Sequence, residues 1–373
     1  MRIVEISSFV AVPLAGMTLA QLGAEVVRVD PVGGAADYRR WPLTESGESI
    51  YWAGLNKGKR SMAVDMRSSE GQHLVQALIV EAGILITNVS GRQWHSYPTL
   101  SVERPDLIHL EVVGRGDGST GVDYTVNAAT GFPLVTGPPD HIGPVNQVMP
   151  AWDVSCGLYA ALAILAALRR RDATGRGSSI RLPLDDVALA TAANLGFLTE
   201  AMVTGAHRPR LGNAVFGQYG QDFTSSDGVG FMVVALTPRH FGDLTELTGT
   251  TKAVAAVAEA LGADFNDEGQ RYQYRDVLNG LFGAWFRSHT AEAVAAALDS
   301  SSVLWERYQS FAEVAASPRV RANPLFAPLD QPRIGTYPAP GLPMSVDGMH
   351  TAATAAPALG QDNETLPAEW LGR

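Results

Sequence analysis

The sequence has a single cysteine, Cys156, in 373 residues, which rules out an intramolecular disulfide or a multi-cysteine metal site and fits a reducing compartment. It is also short of positive charge: 28 lysines and arginines stand against 38 aspartates and glutamates, a formal net charge of −10. Nucleic-acid binding needs a basic stripe, so no nucleic-acid partner is expected. The eight histidines are scattered without H-x-x-H or H-E-x-x-H spacing, and metal catalysis has no support. No G-x-S-x-G elbow occurs, which removes the usual serine-hydrolase reading. The longest apolar run, 154–168, falls short of the roughly 20 residues that a membrane span takes. No signal-peptide pattern precedes the first strand-like run, so a cytoplasmic enzyme without a membrane partner is expected.

What is present reads as an α/β chain. Strand-like runs at 2–6, 25–30, 61–66, 84–88 and 107–113 alternate with amphipathic segments at 12–22 and 69–82, the signature of a parallel, doubly wound sheet. Such sheets bind ligands beyond the carboxyl ends of their strands. A long helix is expected from Asp153 to about Arg171, rich in alanine and glycine and ending in Arg169, Arg170 and Arg171, where positive charge suits the helix dipole. A strand at 178–184 and a helix over 185–204 follow. The run 208–220 reads as a glycine- and aromatic-rich loop, then come a strand at 231–236 and alanine-rich helices near 252–261 and 291–298. The length exceeds one ordinary core, and the change of character gives a large domain over 1–206, a smaller one over 207–320 and a terminal segment, 321–373. That segment is rich in proline and alanine, lacks periodicity, and is expected to run across the surface of another element.

Three features compete as sites. Gly116-Asp117-Gly118-Ser119-Thr120-Gly121 fits the literal dinucleotide pattern, with Asp140 about 20 residues on, but no helix is expected to open on its last glycine, so a flexible loop is preferred. Cys156 sits in an apolar helix and reads as buried and structural. Asp153 opens the long helix. Position alone makes it an ordinary N-cap; the functional alternative is a carboxylate that the helix terminus keeps ionised, competent to attack a bound thioester. A basic cluster, Arg39, Arg40, Lys57, Lys59, Arg60 and Arg67, follows the βα connections where a diphosphate could lie, with Tyr51 and Asn56 as neutral donors; a solvated face is the competing reading.

Several separated blocks resemble one family, the class III CoA-transferases, which include carnitine, formyl-CoA and bile-acid transferases and the α-methylacyl-CoA racemases. The run from Pro13-Leu14-Ala15-Gly16 through Gln21-Leu22-Gly23-Ala24 to Asp30 is similar to the family's opening segment. Asn56-Lys57-Gly58-Lys59-Arg60-Ser61 with Val64-Asp65 is similar to its "N-x-x-K-R-S-x-x-L-D" strand. Asp153 with Gly157-Leu158-Tyr159-Ala160 resembles the "D-x-x-x-G-x-x-A" helix that carries the family's catalytic aspartate. Thr174-Gly175-Arg176-Gly177 matches the following turn, with Ser178 where glutamine is usual; Leu359-Gly360 resembles a C-terminal element from which Gln361-Asp362 depart.

The resemblance implies a large Rossmann-like domain with a parallel sheet, built from both chain ends, a smaller α+β domain between them, and an interlocked homodimer. It implies an acyl-CoA substrate and no separate cofactor, coenzyme A being part of the substrate. Carried over by position, Asp153 is the catalytic carboxylate. CoA contacts come from Phe9, Val10, Ala11, Val64, Arg67, Asn88, Val89 and Arg92. Racemases carry a histidine in a "G-H-D-x-N-Y" segment; here Val122 stands at that place in Gly121-Val122-Asp123-Tyr124, and proton exchange at an α-carbon needs a base on each face. Racemisation is therefore the weaker alternative, beside a non-catalytic CoA-binding module. The runs 52–60, 122–127, 149–153 and Arg208-Pro209-Arg210-Leu211-Gly212-Asn213 resemble a subgroup that moves CoA between the two carboxyl groups of one five-carbon dicarboxylate, mesaconyl-CoA being the substrate. Asp123, Tyr124, Arg208, Arg210 and Asn213 are the substrate-binding candidates.

Overall fold

The computed structural model describes residues 1–372. Met1–Gly131, Asn146–Ala206 and the chain from Ala316 onward form one compact unit; Phe132–Val145 and His207–Ala315 form another. The division differs from the expected one in giving 132–145 to the second unit and 316–320 to the first.

In the first unit the chain runs β1 (Arg2–Ile6), α1 (Ala11–Gln21), β2 (Glu25–Asp30), α2 (Ile50–Leu55), β3 (Arg60–Ala63), α3 (Ser69–Ala82), β4 (Ile84–Thr87), α4 (Tyr97–Glu103), β5 (Ile108–Val113) and α5 (Asp123–Ala129). After the one-turn α6 (Phe132–Val135) of the second unit come α7 (Ala151–Thr174), β6 (Ser178–Pro183), α8 (Leu184–Asn194) and α9 (Phe197–Thr204). The six strands make one parallel sheet in the order β3-β2-β1-β4-β5-β6. Helices on both faces bury β1 and β4 almost completely, which is why these strands are near-continuous apolar runs rather than alternating ones. The order reverses between β1 and β4, so the crevice past their carboxyl ends is the place such a sheet offers a ligand.

Helix α7 starts at Ala151, two residues before Asp153, and has 24 residues, so it outruns the apolar stretch within it. By length and composition it could cross a membrane, contrary to the expectation from the apolar run alone. Its buried face, Cys156, Gly157, Ala160, Ala161, Ile164 and Ala167, is used as a core helix uses it, packed against α1 and β5. A Cβ on Gly157 would lie 2.6 Å from the Ala11 carbonyl oxygen, so glycine there sets how closely α1 and α7 approach. The helix expected over 185–204 is two, because Gly196 takes a left-handed φ of 83° and bends the chain by 63° between α8 and α9.

The second unit contains β7 (Tyr219–Thr224), β8 (Gly230–Ala235), α10 (Pro238–Leu247), α11 (Thr251–Leu261), α12 (Glu268–Gln273), α13 (Arg275–Ser288), α14 (Ala291–Asp299) and β9 (Leu304–Arg307). Its three strands are antiparallel, and an aromatic core of Tyr219, Phe231, Phe241 and Phe282, with Phe223 stacked on Phe286 at 4.4 Å, holds the helices to them. The terminal stretch is more ordered than its composition suggests. Phe326–Gln331 pairs with Gly335–Pro340, and the helix Thr365–Leu371 packs on α3, with Leu366 and Trp370 in the core beneath.

Candidate active site

Asp153 is not the cap of α7. The N-cap position is Pro150, which has no side chain to offer, and Asp153 lies in the first turn. The cap comes from another helix: Asp123, the first residue of α5 and 2% exposed, accepts from the backbone N–H groups of Trp152 (2.8 Å) and Asp153 (3.0 Å) through Oδ2. Trp152 Nε1 donates to Asn127 Oδ1 on α5, and Asn127 Nδ2 donates to Asn146, which ties the approach to α7 to the same helix. A helix thus does open just after the glycine-rich run, where none was expected, but it is only seven residues long and an acidic residue fills its first turn. That leaves no anion-binding terminus there, and Asp140 lies in the second unit.

Past β1 the chain turns at Phe9, whose φ of 66° is left-handed and rare for a bulky residue. The conformation is held by a buried charge network. The Phe9 amide donates to Asp37 Oδ2 (3.0 Å); Arg28 Nη2 donates to both Asp37 oxygens (3.0 and 3.1 Å) and its Nε to Asp30. Lys59 Nζ donates to Glu5 and to Asn56 Oδ1, each at 2.8 Å, and Asn56 Oδ1 also accepts from Arg28. Arg28, Glu5 and Asp30 are wholly buried, so each charge has an opposite one in contact, as burial demands. Asn88 ties the two sides of the strand-order reversal together: its Nδ2 donates to the Ser8 carbonyl (2.8 Å) and its Oδ1 accepts from the Ser8 amide (3.0 Å).

The expected basic cluster is therefore not a single patch. Lys59 is spent inside, Lys57 donates to the Pro340 carbonyl, Arg60 pairs with Glu25, Asp362 and Glu369, and Arg67 pairs with Asp65 at the surface. Asp362, one of the residues departing from the family pattern, also accepts from the Ser61 amide. Arg40 is different. Its guanidinium lies over the rings of Phe9 (5.5 Å) and Tyr51 (5.2 Å), and among the described residues it has no carboxylate partner.

Arg40, Tyr51 and Asp123 are the groups whose charge or proton bears on Asp153. Burial, and then the charge of Asp123, push the Asp153 carboxyl up to about 7, while the Arg40 guanidinium pulls the other way. This corrects the expectation that the helix terminus keeps Asp153 ionised: Asp123 already occupies that terminus. Burial moves the Tyr51 hydroxyl to about 12, and burial with the nearby Asp153 moves the Cys156 thiol to about 12, so Cys156 is the inert core residue expected.

The other expected residues are dispersed. Phe9 is exposed, whereas Val10 and Ala11 are buried at the start of α1 and have only backbone to offer a ligand. Val64 lines a shallow crevice of about 270 Å³ with Asp65, Ser68, Gly71 and Asn363, and Arg67 points to solvent beside it. Asn88 has its side chain committed to Ser8, and Val89 packs against the core. Arg92 lines a separate cavity of about 400 Å³ with His95, His109 and Arg181. Tyr124 is exposed and donates to the Val148 carbonyl (3.2 Å). Arg208, Arg210 and Asn213 belong to the second unit. Arg210 is committed there to the carbonyls of Pro133, Thr136 and Gly143, and Arg208 lies 4.1 Å over the Phe216 ring. Arg40 and the capping role of Asp123 are what sequence reasoning missed; Arg40 was visible only as one member of a charge run.

Comparison with known proteins gives the family. The model of CoA-transferase family III matches residues 1–363. The 2-methylfumaryl-CoA isomerase of Chloroflexus aurantiacus is 43% identical over 380 aligned residues, covering all of this chain and 93% of that protein. The succinyl-CoA–D-citramalate CoA-transferase of the same organism is 27% identical, again over all of this chain and 93% of its own length. A crystal structure of a CAIB/BAIF family protein from Brucella suis superposes with a TM-score of 0.81 at 26% identity, covering 99% of this chain and 98% of that one. With the family profile spanning nearly the whole sequence and the same fold in a solved relative, the chain belongs to CoA-transferase family III.

Proposed function

We propose that this enzyme moves CoA between carboxyl groups through covalent intermediates on Asp153, and that both carboxyl groups belong to one five-carbon dicarboxylate, as in the isomerisation of 2-methylfumaryl-CoA (mesaconyl-CoA). The ionised Asp153 attacks the thioester carbonyl; the carbon–sulfur bond breaks and CoA leaves as thiolate, giving an aspartyl–acyl anhydride. The thiolate attacks the aspartyl carbonyl, giving an aspartyl-CoA thioester and the free dicarboxylate. The other carboxylate of that dicarboxylate then reverses the two steps. Retaining the released acid replaces an encounter from solution by a high effective molarity. No resident cofactor enters this reading; CoA arrives with the substrate.

The observation that carries the reading is a buried carboxylate, Asp153, that lies within the field of Arg40, a cation without a carboxylate partner among the described residues, in a chain 43% identical throughout to an isomerase of this type. In this reading Arg40 holds the free carboxylate of the dicarboxylate, because its guanidinium lies over two rings and donates no hydrogen bond among the described residues. Val122, 60% exposed at the start of α5, offers no second base, which speaks against racemisation. An apolar flank of α7, with Leu158, Tyr159, Leu162 and Leu165 each more than 40% exposed, supports the homodimer.

The test is mass spectrometry of the protein incubated with mesaconyl-CoA. A CoA-containing adduct on Asp153 and conversion to the positional isomer, without exchange into added free dicarboxylate, are expected. Absence of any hydroxylamine-sensitive adduct, or deuterium exchange at an α-carbon instead, would overturn the reading.

A further inference from the structure

Two carboxylates share one helix terminus in this protein. Asp123 is 2% exposed, its Oδ2 takes the amides of both Trp152 and Asp153, and its Oδ1 is buried with no hydrogen-bond partner among the described residues. The residue whose amide it accepts carries the other carboxylate. Together they leave Asp153 in a cluster whose charge is not balanced by contact. The titratable and charged groups around it are Asp123 on α5, Tyr124 beside it, Tyr51 on α2, Cys156 one turn along α7, and Arg40, which contributes the only positive charge of the set. Helix α1, packed along α7, carries no ionisable side chain.

We propose that Asp123 is a positioning residue for the covalent chemistry: by filling the amino terminus of α7 with its own charge, it makes the ionised form of Asp153 the costly state and the acylated form the relieved one. The inference rests on the covalent reading above and goes beyond it by assigning a driving force.

The charge balance of the steps gives the reason. In the attack on the thioester, the negative charge of Asp153 leaves with the CoA thiolate, and the aspartyl carbonyl of the anhydride is neutral. When the thiolate returns, the charge leaves again on the dicarboxylate, and the aspartyl-CoA thioester is also neutral at Asp153. Repulsion between two close carboxylates is therefore present in the free, ionised enzyme and absent from both adducts. A helix terminus free to stabilise Asp153 would act in the opposite sense, favouring the free carboxylate over the adducts. Burial first, and then the charge of Asp123, displace Asp153 upward to about 7, in the sense this arrangement requires. The raised proton affinity, from burial and then from this repulsion, has a consequence for rate: protonation removes the nucleophile, so activity rises as pH passes through about 7.

Asp123→Asn keeps an oxygen acceptor for the two amides and removes the charge; Asp123→Ser is a second uncharged cap of smaller size. For whichever variant folds, judged by circular dichroism and melting temperature, two shifts are expected. The acid limb of the kcat/KM profile moves down by at least one pH unit, and the fraction of enzyme trapped as aspartyl-CoA adduct at pH 8 falls at least five-fold. A third measurement uses the unmodified chain: adduct formed at pH 8 and freed of excess substrate melts higher than free enzyme, and by more at pH 8 than at pH 5.5. An unmoved or upward-shifted acid limb, an unchanged adduct fraction, or an equal rise in melting temperature at both pH values overturns the proposal. Failure of the covalent reading looks different, since the unmodified enzyme would then form no adduct at all.

Discussion

The molecule buries charge at two places, around the ends of β1 and β2 and at the head of α7, and treats them in opposite ways. At the β1 loop, Glu5, Arg28, Asp30, Asp37 and Lys59 are all in direct ion pairs, and Asn56 bridges the two cations. At the head of α7, Asp123 and Asp153 make no ion pair among the described residues, and the cation that acts on Asp153 is Arg40, out of contact with it. In the first cluster every charge touches an opposite one, and the cluster holds a backbone shape, the left-handed turn at Phe9. The second has no such contact, and burial together with the neighbouring Asp123 charge raises the energy of the carboxylate proposed to react. Burial alone therefore does not mark a reactive acid; burial without a contacting counter-charge does.

Breaking the site at the head of α7 has the largest expected effect. Asp153→Ala should lower kcat by about 10³-fold or more while leaving the melting temperature near or above that of the parent, because only the nucleophile is lost. A variant with a tenth of parental activity would remove Asp153 from the chemistry. Breaking the first cluster should act on stability instead. Arg28→Met strands Asp30 and Asp37 without their partner and should cost about 3–5 kcal/mol in urea unfolding. A loss under 1 kcal/mol would mean that the network is dispensable to the fold.

The comparison sharpens at Arg40, the cation between the two clusters. Arg40→Gln should lower kcat/KM for a dicarboxylyl-CoA by roughly 10- to 100-fold, the worth of a charge-assisted hydrogen bond, with CoA itself binding as before. Equal loss of affinity for CoA would assign Arg40 to the nucleotide rather than to the acyl group. The smallest effect is thermodynamic. With the Asp153 carboxyl raised from 3.8 to about 7, the folded state holds the proton more tightly. That contribution is complete below about pH 4 and is lost as pH rises through 7. Asp153→Asn cannot lose it, so its melting temperature relative to the parent should climb by a few degrees between pH 5 and pH 8. A difference that is flat over this range would leave Asp153 unperturbed.

Much of the first unit was legible because its signals are local. The apolar runs of β1, β2, β4 and β5 and the amphipathic stretch of α3 lie within a few residues of where they were read. In the second unit α10, α12 and α13 were not read at all, since their core contacts are aromatic and come from distant strands, as with Phe282 against Tyr219. The hairpin within the terminal segment was missed for a related reason: its prolines argue against a strand, yet the pairing of Phe326–Gln331 with Gly335–Pro340 tolerates them because no third strand adds to it. Site residues followed the same division. Asp153 was named from its motif, and so were Arg208, Arg210 and Asn213, but the geometry of the second unit commits Arg210 to carbonyls of the 132–145 segment.

By itself the sequence determined the strand and helix alternation, the family and the identity of the acid at position 153, because periodicity and motif order are written in consecutive residues. Only the tertiary structure decided what state that acid is in. Asp123 is thirty positions away in sequence and reaches the amides of Trp152 and Asp153 only after α5 and α7 meet. An aspartate that reads as a helix cap is thus a carboxyl whose cap has been taken by another. Its proton affinity is set by burial and by that neighbour, and neither is a property of the residues on either side of it.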